Sequence, residues 1–165
     1  MKVGLYFYTF SPVKTEALTE KYMEVSLTRV DQDFHFQATG AAGVAVNLDG
    51  SPDIGGHNAG ARPMELLLMG LGGCSAIDIT LILKKQRQQI TSFDIKVSAE
   101  REKVGEMSLF KSIQVHFTLG GNLDQDKVKR AIDLSLEKYC SVAAILYKTA
   151  TIDYTFEVVP AKEIV

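Results

Sequence analysis

The stretch from Pro63 to Arg87, PMELLLMGLGGCSAIDITLILKKQR, limits what this chain can fold into more than any other. Its pattern predicts one long helix. A proline at the first helical position gives up an N–H that would be unpaired there anyway. Glu65 sets a carboxylate in the first turn, and Lys84, Lys85 and Arg87 set cations at the other end, each where the helix macrodipole favours it. No charge lies between Glu65 and Asp78, so this part of the helix is expected to be enclosed on nearly every side. The uncharged run is shorter than the roughly 20 apolar residues that a bilayer span requires, and no membrane partner is expected.

Within the run lies Gly70-Leu71-Gly72-Gly73-Cys74. A glycine in a helix interior costs about 0.8–1 kcal/mol relative to alanine, so three of them need an offsetting gain. Close approach of another backbone would supply it, and so would open space beside the Cys74 sulfur. Residue types also allow a blander answer, tight helix packing around an inert core thiol. The glycines alone do not choose between these.

At 165 residues the chain is the size of one domain with a sizeable core. A net charge of −2 and the absence of any basic run predict no nucleic-acid partner. The opening MKVGLYFYTF is followed by SPVKTEALTEK, which offers no small-residue cleavage site, so the expected location is cytoplasmic. The two cysteines, Cys74 and Cys140, are far apart and form no C-x-x-C pattern. In a reducing compartment they are either two buried thiols or a redox couple. His35, His57 and His116 show no ligand spacing with each other or with the cysteines, so no metal or cofactor is expected.

Residues 2–10 alternate weakly and predict a strand, followed by a polar surface segment. A cleaner pattern begins at Met23, with Met23, Val25, Leu27 and Arg29 on one face of a strand. A guanidinium on the apolar side needs an anionic partner, which makes Arg29 a candidate site residue; the alternative is a strand-end arginine reaching out to water. Phe34, Phe36 and Ala38, then Val44, Val46 and Leu48, complete a meander of three short antiparallel strands. After the long helix, Phe93, Ile95, Val97 and Ala99 face Leu109, Ile113, Val115, Phe117 and Leu119 in a hairpin. Asn122 is the expected N-cap of a second helix, with Gln125 at the capping-box position. Val128, Ile132, Leu136 and Tyr139 form its stripe, which runs directly into Cys140, and SVAAILYK (141–148) is a further helical piece. Ile152, Tyr154, Phe156 and Val158 predict a last one-faced strand. The expected class is α+β, with antiparallel sheets packed around a long central helix. That helix is too apolar for a monomer surface, so an intertwined homodimer is expected, with sheets of both subunits enclosing it.

The stretches ELLLMGLGGCSAID (65–78) and EKYCSVA (137–143), in that order and separated by a hairpin, resemble the OsmC/Ohr family of organic-hydroperoxide reductases. The likeness is greater to its OsmC-like branch, whose segment reads ELLL-x-x-LGGC-[ST]-A-x-D. It covers residues 23–159, leaving 1–22 as an N-terminal extension before a single OsmC-like domain at 23–165. The resemblance implies metal-free thiol peroxidase chemistry in oxidative-stress defence. Cys74 would be the peroxidatic residue, attacking a peroxide oxygen as thiolate to give a sulfenic acid. Cys140 would resolve it as an intrachain disulfide, and an external dithiol would restore the pair. A nearby guanidinium would favour the thiolate, which is the nucleophilic form.

Here the chain departs from the better-known branch. Members of that branch carry a carboxylate directly after the proline that opens the helix; here that position is Met64 and the glutamate is Glu65, about 100° further round the axis. They carry an arginine just after the first strand, where this chain has Asp31-Gln32-Asp33. Arg29, Arg62 and Arg101 are the candidate substitutes. Two other functions fit the same residues: a thiol–disulfide exchange protein that does not turn over peroxide, and a dimeric module that binds a small apolar ligand beside the long helix.

Overall fold

The computed structural model describes residues 23–161; the strand expected at 2–10 and the polar segment after it lie outside the described residues. Three short strands come first, β1 (Ser26–Arg29), β2 (Phe36–Thr39) and β3 (Ala45–Leu48). They form the expected antiparallel meander, with Phe36 opposite both Arg29 and Leu48. The long helix follows as α1 (Pro63–Lys85), then the hairpin strands β4 (Ser92–Val104) and β5 (Met107–Gly120). Helix α2 (Gln125–Leu134), a π-helical turn (Ser135–Tyr139), helix α3 (Ser141–Leu146) and strand β6 (Thr151–Val159) complete the chain.

A tightly organised loop joins the meander to α1. Asp49 is only 2% exposed, and its carboxylate accepts the backbone N–H groups of Gly50, His57 and Ala59 at 2.7–2.9 Å. The Ala59 amide, with those of His57 and Gly50 and the nearby Arg62 charge, holds this carboxyl below its ordinary value against the opposing effect of burial. Gly56 and Gly60 let the loop cross the chain: a Cβ on Gly56 would lie 1.9 Å from the Gly50 carbonyl oxygen, and one on Gly60 2.4 Å from the Asn47 backbone.

The second sheet has the order β4-β5-β6. Its first pair is antiparallel, but β6 runs parallel to β5, with Ser112 opposite Thr151 and Val115 opposite Tyr154. The expected antiparallel pairing holds for β1–β3 and for β4 with β5, while β6 makes this second sheet mixed. Parallel neighbours need a crossover, and α2, the π turn and α3 are that crossover. A bulge opposite Glu100 and Arg101 leaves Lys111 as an extra residue on β5. It changes which residue shares the inward face: Phe110, at 5% exposure, joins Ile113, Val115, Phe117 and Leu119 in the core in place of Leu109. The N-cap of α2 is Asp124 rather than Asn122; its carboxylate accepts from Asp126 and Lys127.

Helix α1 is enclosed on one side. Leu71, Ser75, Ile79 and Leu83, four residues apart, are fully buried with Phe117, Ile113, Val128 and Ile132. On the opposite face Met69, Ile77 and Leu81 are 52–64% exposed. The expectation of burial all round therefore holds for half the helix within one protomer, because the β4–β6 sheet and the crossover meet only one side. Taken whole, the 23-residue helix is long and apolar enough to cross a bilayer by length and composition, so the shortness of its uncharged run does not by itself exclude a membrane. Its fully buried stripe is what a core helix of a soluble fold shows.

Candidate active site

Cys74 sits in the middle of α1, half-buried, and Cys140 follows the π turn, 2% exposed. The π turn is what delivers Cys140. The Cys140 N–H bonds to the Ser135 carbonyl, five residues back, at 2.8 Å, and this one-residue widening rotates everything after it relative to a regular helix. Tyr139, expected on the buried stripe, consequently faces out at 49% exposure, while Leu136 stays inside at 4%. Cys140 then takes extended dihedrals (φ −73°, ψ 101°) and caps α3, its sulfur accepting the Ala143 N–H at 3.3 Å.

Both cysteines are free thiols, and the two sulfurs lie within 4.8 Å of each other. The fold thus unites two residues that the chain sets 66 positions apart. Burial pushes the Cys140 thiol above its ordinary value, and the neighbouring Cys74 thiol acts in the same direction. The Ala143 N–H and the hydroxyl of fully buried Ser75, 3.8 Å from the Cys140 sulfur, pull the other way.

A third group stands with the sulfurs. A carboxylate oxygen of Asp78 lies within 4.8 Å of both. Asp78 follows Cys74 by four residues, one turn along α1, so the two share a helix face. The hydroxyl of Ser135, on the π turn, donates to Asp78 Oδ2 at 3.2 Å. Beyond the carboxylate a cleft of about 510 Å³ opens, lined by Leu81, Ile82, Lys85, Gln86, Leu134 and Tyr139. Asp78 is the last residue of the ELLL-x-x-LGGC-[ST]-A-x-D segment, with no role expected of it; the motif and its i+4 spacing from Cys74 are the available signals.

The expected activating residues spend their hydrogen bonds on other groups than the two sulfurs. Arg29, at the end of β1, donates to the carbonyls of Gln32 and Asp33 and so fastens the turn after its own strand. Arg62 donates to the carbonyls of Asp49 and Gly60 and to the Asn58 side chain. It precedes Cys74 by twelve residues, about 18 Å along a helix axis. Arg101 donates to the Ser108 carbonyl on the hairpin. Glu65 accepts the Arg62 backbone N–H at 2.9 Å, closing the first turn of α1. It also lines a cleft of about 630 Å³ with Leu68, Met69, Gly72, Gly73 and β4 side chains.

That cleft accounts for the glycines. Among the described residues only side chains approach them: a Cβ on Gly73 would meet nothing within 4 Å, one on Gly70 the Val142 side chain at 3.9 Å, and one on Gly72 the side chains of Val97 at 3.5 Å and Ile95 at 3.8 Å. Gly73 leaves open space along α1 beside Cys74, and Gly72 lets the side chains of β4 pack close to the helix.

Comparison with known proteins gives the same architecture. The profile of the family described as OsmC-like protein matches residues 56–155. Protein YhfA of Escherichia coli (strain K12) is 42% identical over 127 residues, covering 76% of this chain and 91% of YhfA. An OsmC-like protein from Mycoplasma pneumoniae superposes with a TM-score of 0.71 at 19% identity, over 86% of this chain and 99% of that one. An organic hydroperoxide resistance protein OsmC from Legionella pneumophila superposes with a TM-score of 0.64 at 13% identity, over 86% and 100%. The two structural likenesses speak to the fold; the family match spans α1, both cysteines and the crossover between them, and on it this chain belongs to the OsmC-like protein family.

Proposed function

We propose that the chain is a redox protein of peroxide stress whose two thiols reduce organic hydroperoxides without a metal or haem. The observation that carries this reading is the pair of free sulfurs within 4.8 Å, drawn from distant parts of the sequence. Cys74, the more accessible of the two, attacks a peroxide oxygen as thiolate; the O–O bond breaks, Cys74 becomes a sulfenic acid, and the alkoxide leaves as an alcohol after taking a proton. The Cys140 sulfur then displaces hydroxide from the sulfenic acid, which departs as water, and a Cys74–Cys140 disulfide forms. An external dithiol reduces it by two exchange steps and is itself oxidised. The open groove beside Gly72 and Gly73 suits an alkyl substituent. Glu65 serves as a first-turn cap and Arg29 as the clasp of its turn, with any effect on the sulfurs indirect.

The working unit in this reading is a homodimer in the cytoplasm. Its support is the bare apolar face of α1 and the exposed side chains of the meander, Leu27, Phe36 and Val46 at 36–54%, an extent of apolar surface that an obligate interface covers.

The test is oxidation of the reduced chain with one equivalent of an alkyl hydroperoxide. The expected result is an intact-mass loss of two hydrogens and a Cys74–Cys140 crosslink in the peptide map, with Cys140→Ser leaving Cys74 as sulfenic acid or a higher oxide. Two free thiols after prolonged exposure would overturn the peroxidase reading. Crosslinking by an oxidised dithiol but not by peroxide would replace it with thiol–disulfide exchange.

A further inference from the structure

Beside the two sulfurs the structure sets an anion. In the reduced state the cluster holds two soft sulfur donors and one carboxylate oxygen, all within 4.8 Å of one another. Among the described residues no lysine or arginine forms an ion pair with Asp78, and Lys85 lines the adjoining cleft without pairing with it. We propose that the reduced Cys74–Asp78–Cys140 cluster is a binding site for one thiophilic divalent cation per chain, of the zinc or cadmium kind, and that cation binding and disulfide formation exclude one another.

The distances are close to what such an ion needs. Tetrahedral zinc, with sulfur at about 2.3 Å and carboxylate oxygen at about 2.1 Å, holds its donors about 3.6–3.8 Å apart. With its donors within 4.8 Å of one another, the cluster needs to contract by at most about 1.2 Å, within reach of side-chain rotation. Two of the three donors come from one face of α1 at i and i+4, the spacing by which a helix presents two ligands to one ion. The third is fixed by the π turn and by the Ala143 N–H on its sulfur. The Ser135 hydroxyl already orients the carboxylate, as the outer partners of metal ligands do. Sulfur donors select zinc or cadmium over magnesium or calcium, and three protein ligands leave a fourth position for water, toward the cleft beyond Asp78. The balance is simple: the cation displaces one proton from each thiol, and nothing is oxidised. The thiolates are then held by the cation and withdrawn from reaction with peroxide. The expectation of no metal rested on histidine spacing; the ligand that spacing omitted is an aspartate.

The proposal shares its sulfurs with the peroxidase reading but needs no oxidant, so the two fail separately. The reduced full-length chain, freed of reductant, is titrated with zinc chloride by calorimetry in buffers of different ionisation enthalpy, and with cadmium chloride by thiolate-to-cadmium ultraviolet absorption. The expected result is one cation per chain, release of up to two protons, and protection of both cysteines from alkylation, reversed by a chelator. Asp78→Asn should weaken zinc by at least about tenfold, and Cys140→Ser should halve the cadmium–thiolate absorption. Absence of saturable binding to the unaltered reduced chain, or binding indifferent to both substitutions, would overturn the site. Peroxide crosslinking with no zinc binding would sink this proposal alone; zinc binding with peroxide-inert thiols would sink only the peroxidase reading.

Discussion

The two sheets follow the same sequence rule and meet different fates. In β5 the alternating apolar residues Ile113, Val115, Phe117 and Leu119 are at most 1% exposed. In the β1–β3 meander the same alternation leaves Leu27 at 54%, Val46 at 44% and Phe36 at 36%. An alternating strand announces that it has an inward face, but not what lies inward of it. For β4–β6 the cover is α1 and the crossover of the same chain. For the meander, Leu27, Phe36 and Val46 stay open to solvent among the described residues.

Three measurements break or sharpen this contrast. The largest effect is expected in the covered sheet, where Phe117→Ala should destabilise the chain by about 3–5 kcal/mol, read as a lower midpoint in denaturant unfolding. A loss under 1 kcal/mol would mean that the β5 face is not the core. Next, Leu27→Asp should leave secondary structure intact by circular dichroism but convert a dimer to a monomer in sedimentation; an unchanged dimer would show that the meander is not covered by a second copy. The smallest effect is local and depends on pH. Asp49 titrates below the ordinary carboxylate range when folded, so its stabilisation is complete above the unfolded value near 3.9 and is lost as pH falls through the lower folded value. Below about pH 3.9 the amides of His57 and Ala59 should lose hydrogen-exchange protection while those of β5 keep it. Simultaneous loss in both would mean that the loop has no independent stability.

Much of the architecture was legible, because it rests on periodicity and on end signals. The long helix begins at Pro63 as expected and ends two residues early, at Lys85, where Gln86 and Arg87 leave helical geometry. The meander, hairpin and last strand were all visible in alternation. What was not legible depends on single residues that change phase. Alternation alone puts Leu109 on the inward face of β5, whereas the bulge at Lys111 turns Phe110 inward. Tyr139 fitted a regular helical stripe, and the π turn took it out. The parallel direction of β6 was hidden because alternation carries no direction. At the candidate site the cysteines stood out through their motif; Asp78 closes the same motif, but its place beside both sulfurs depends on the fold, and Arg29 and Glu65 are engaged locally in ways that only side-chain coordinates reveal.

The crossover between β5 and β6 also sets an order of events in time. Pairings such as Ser112 with Thr151 close a long stretch of chain, and contacts of that range form late. Until they form, the corner bearing Cys140 has only α1 and α2 to hold it, whereas Cys74 is already in place on a helix that needs no distant strand to wind. A chain emerging from synthesis would therefore expose its first sulfur well before the second arrives, and oxidant met in that interval would find a thiol with no neighbour to rescue it.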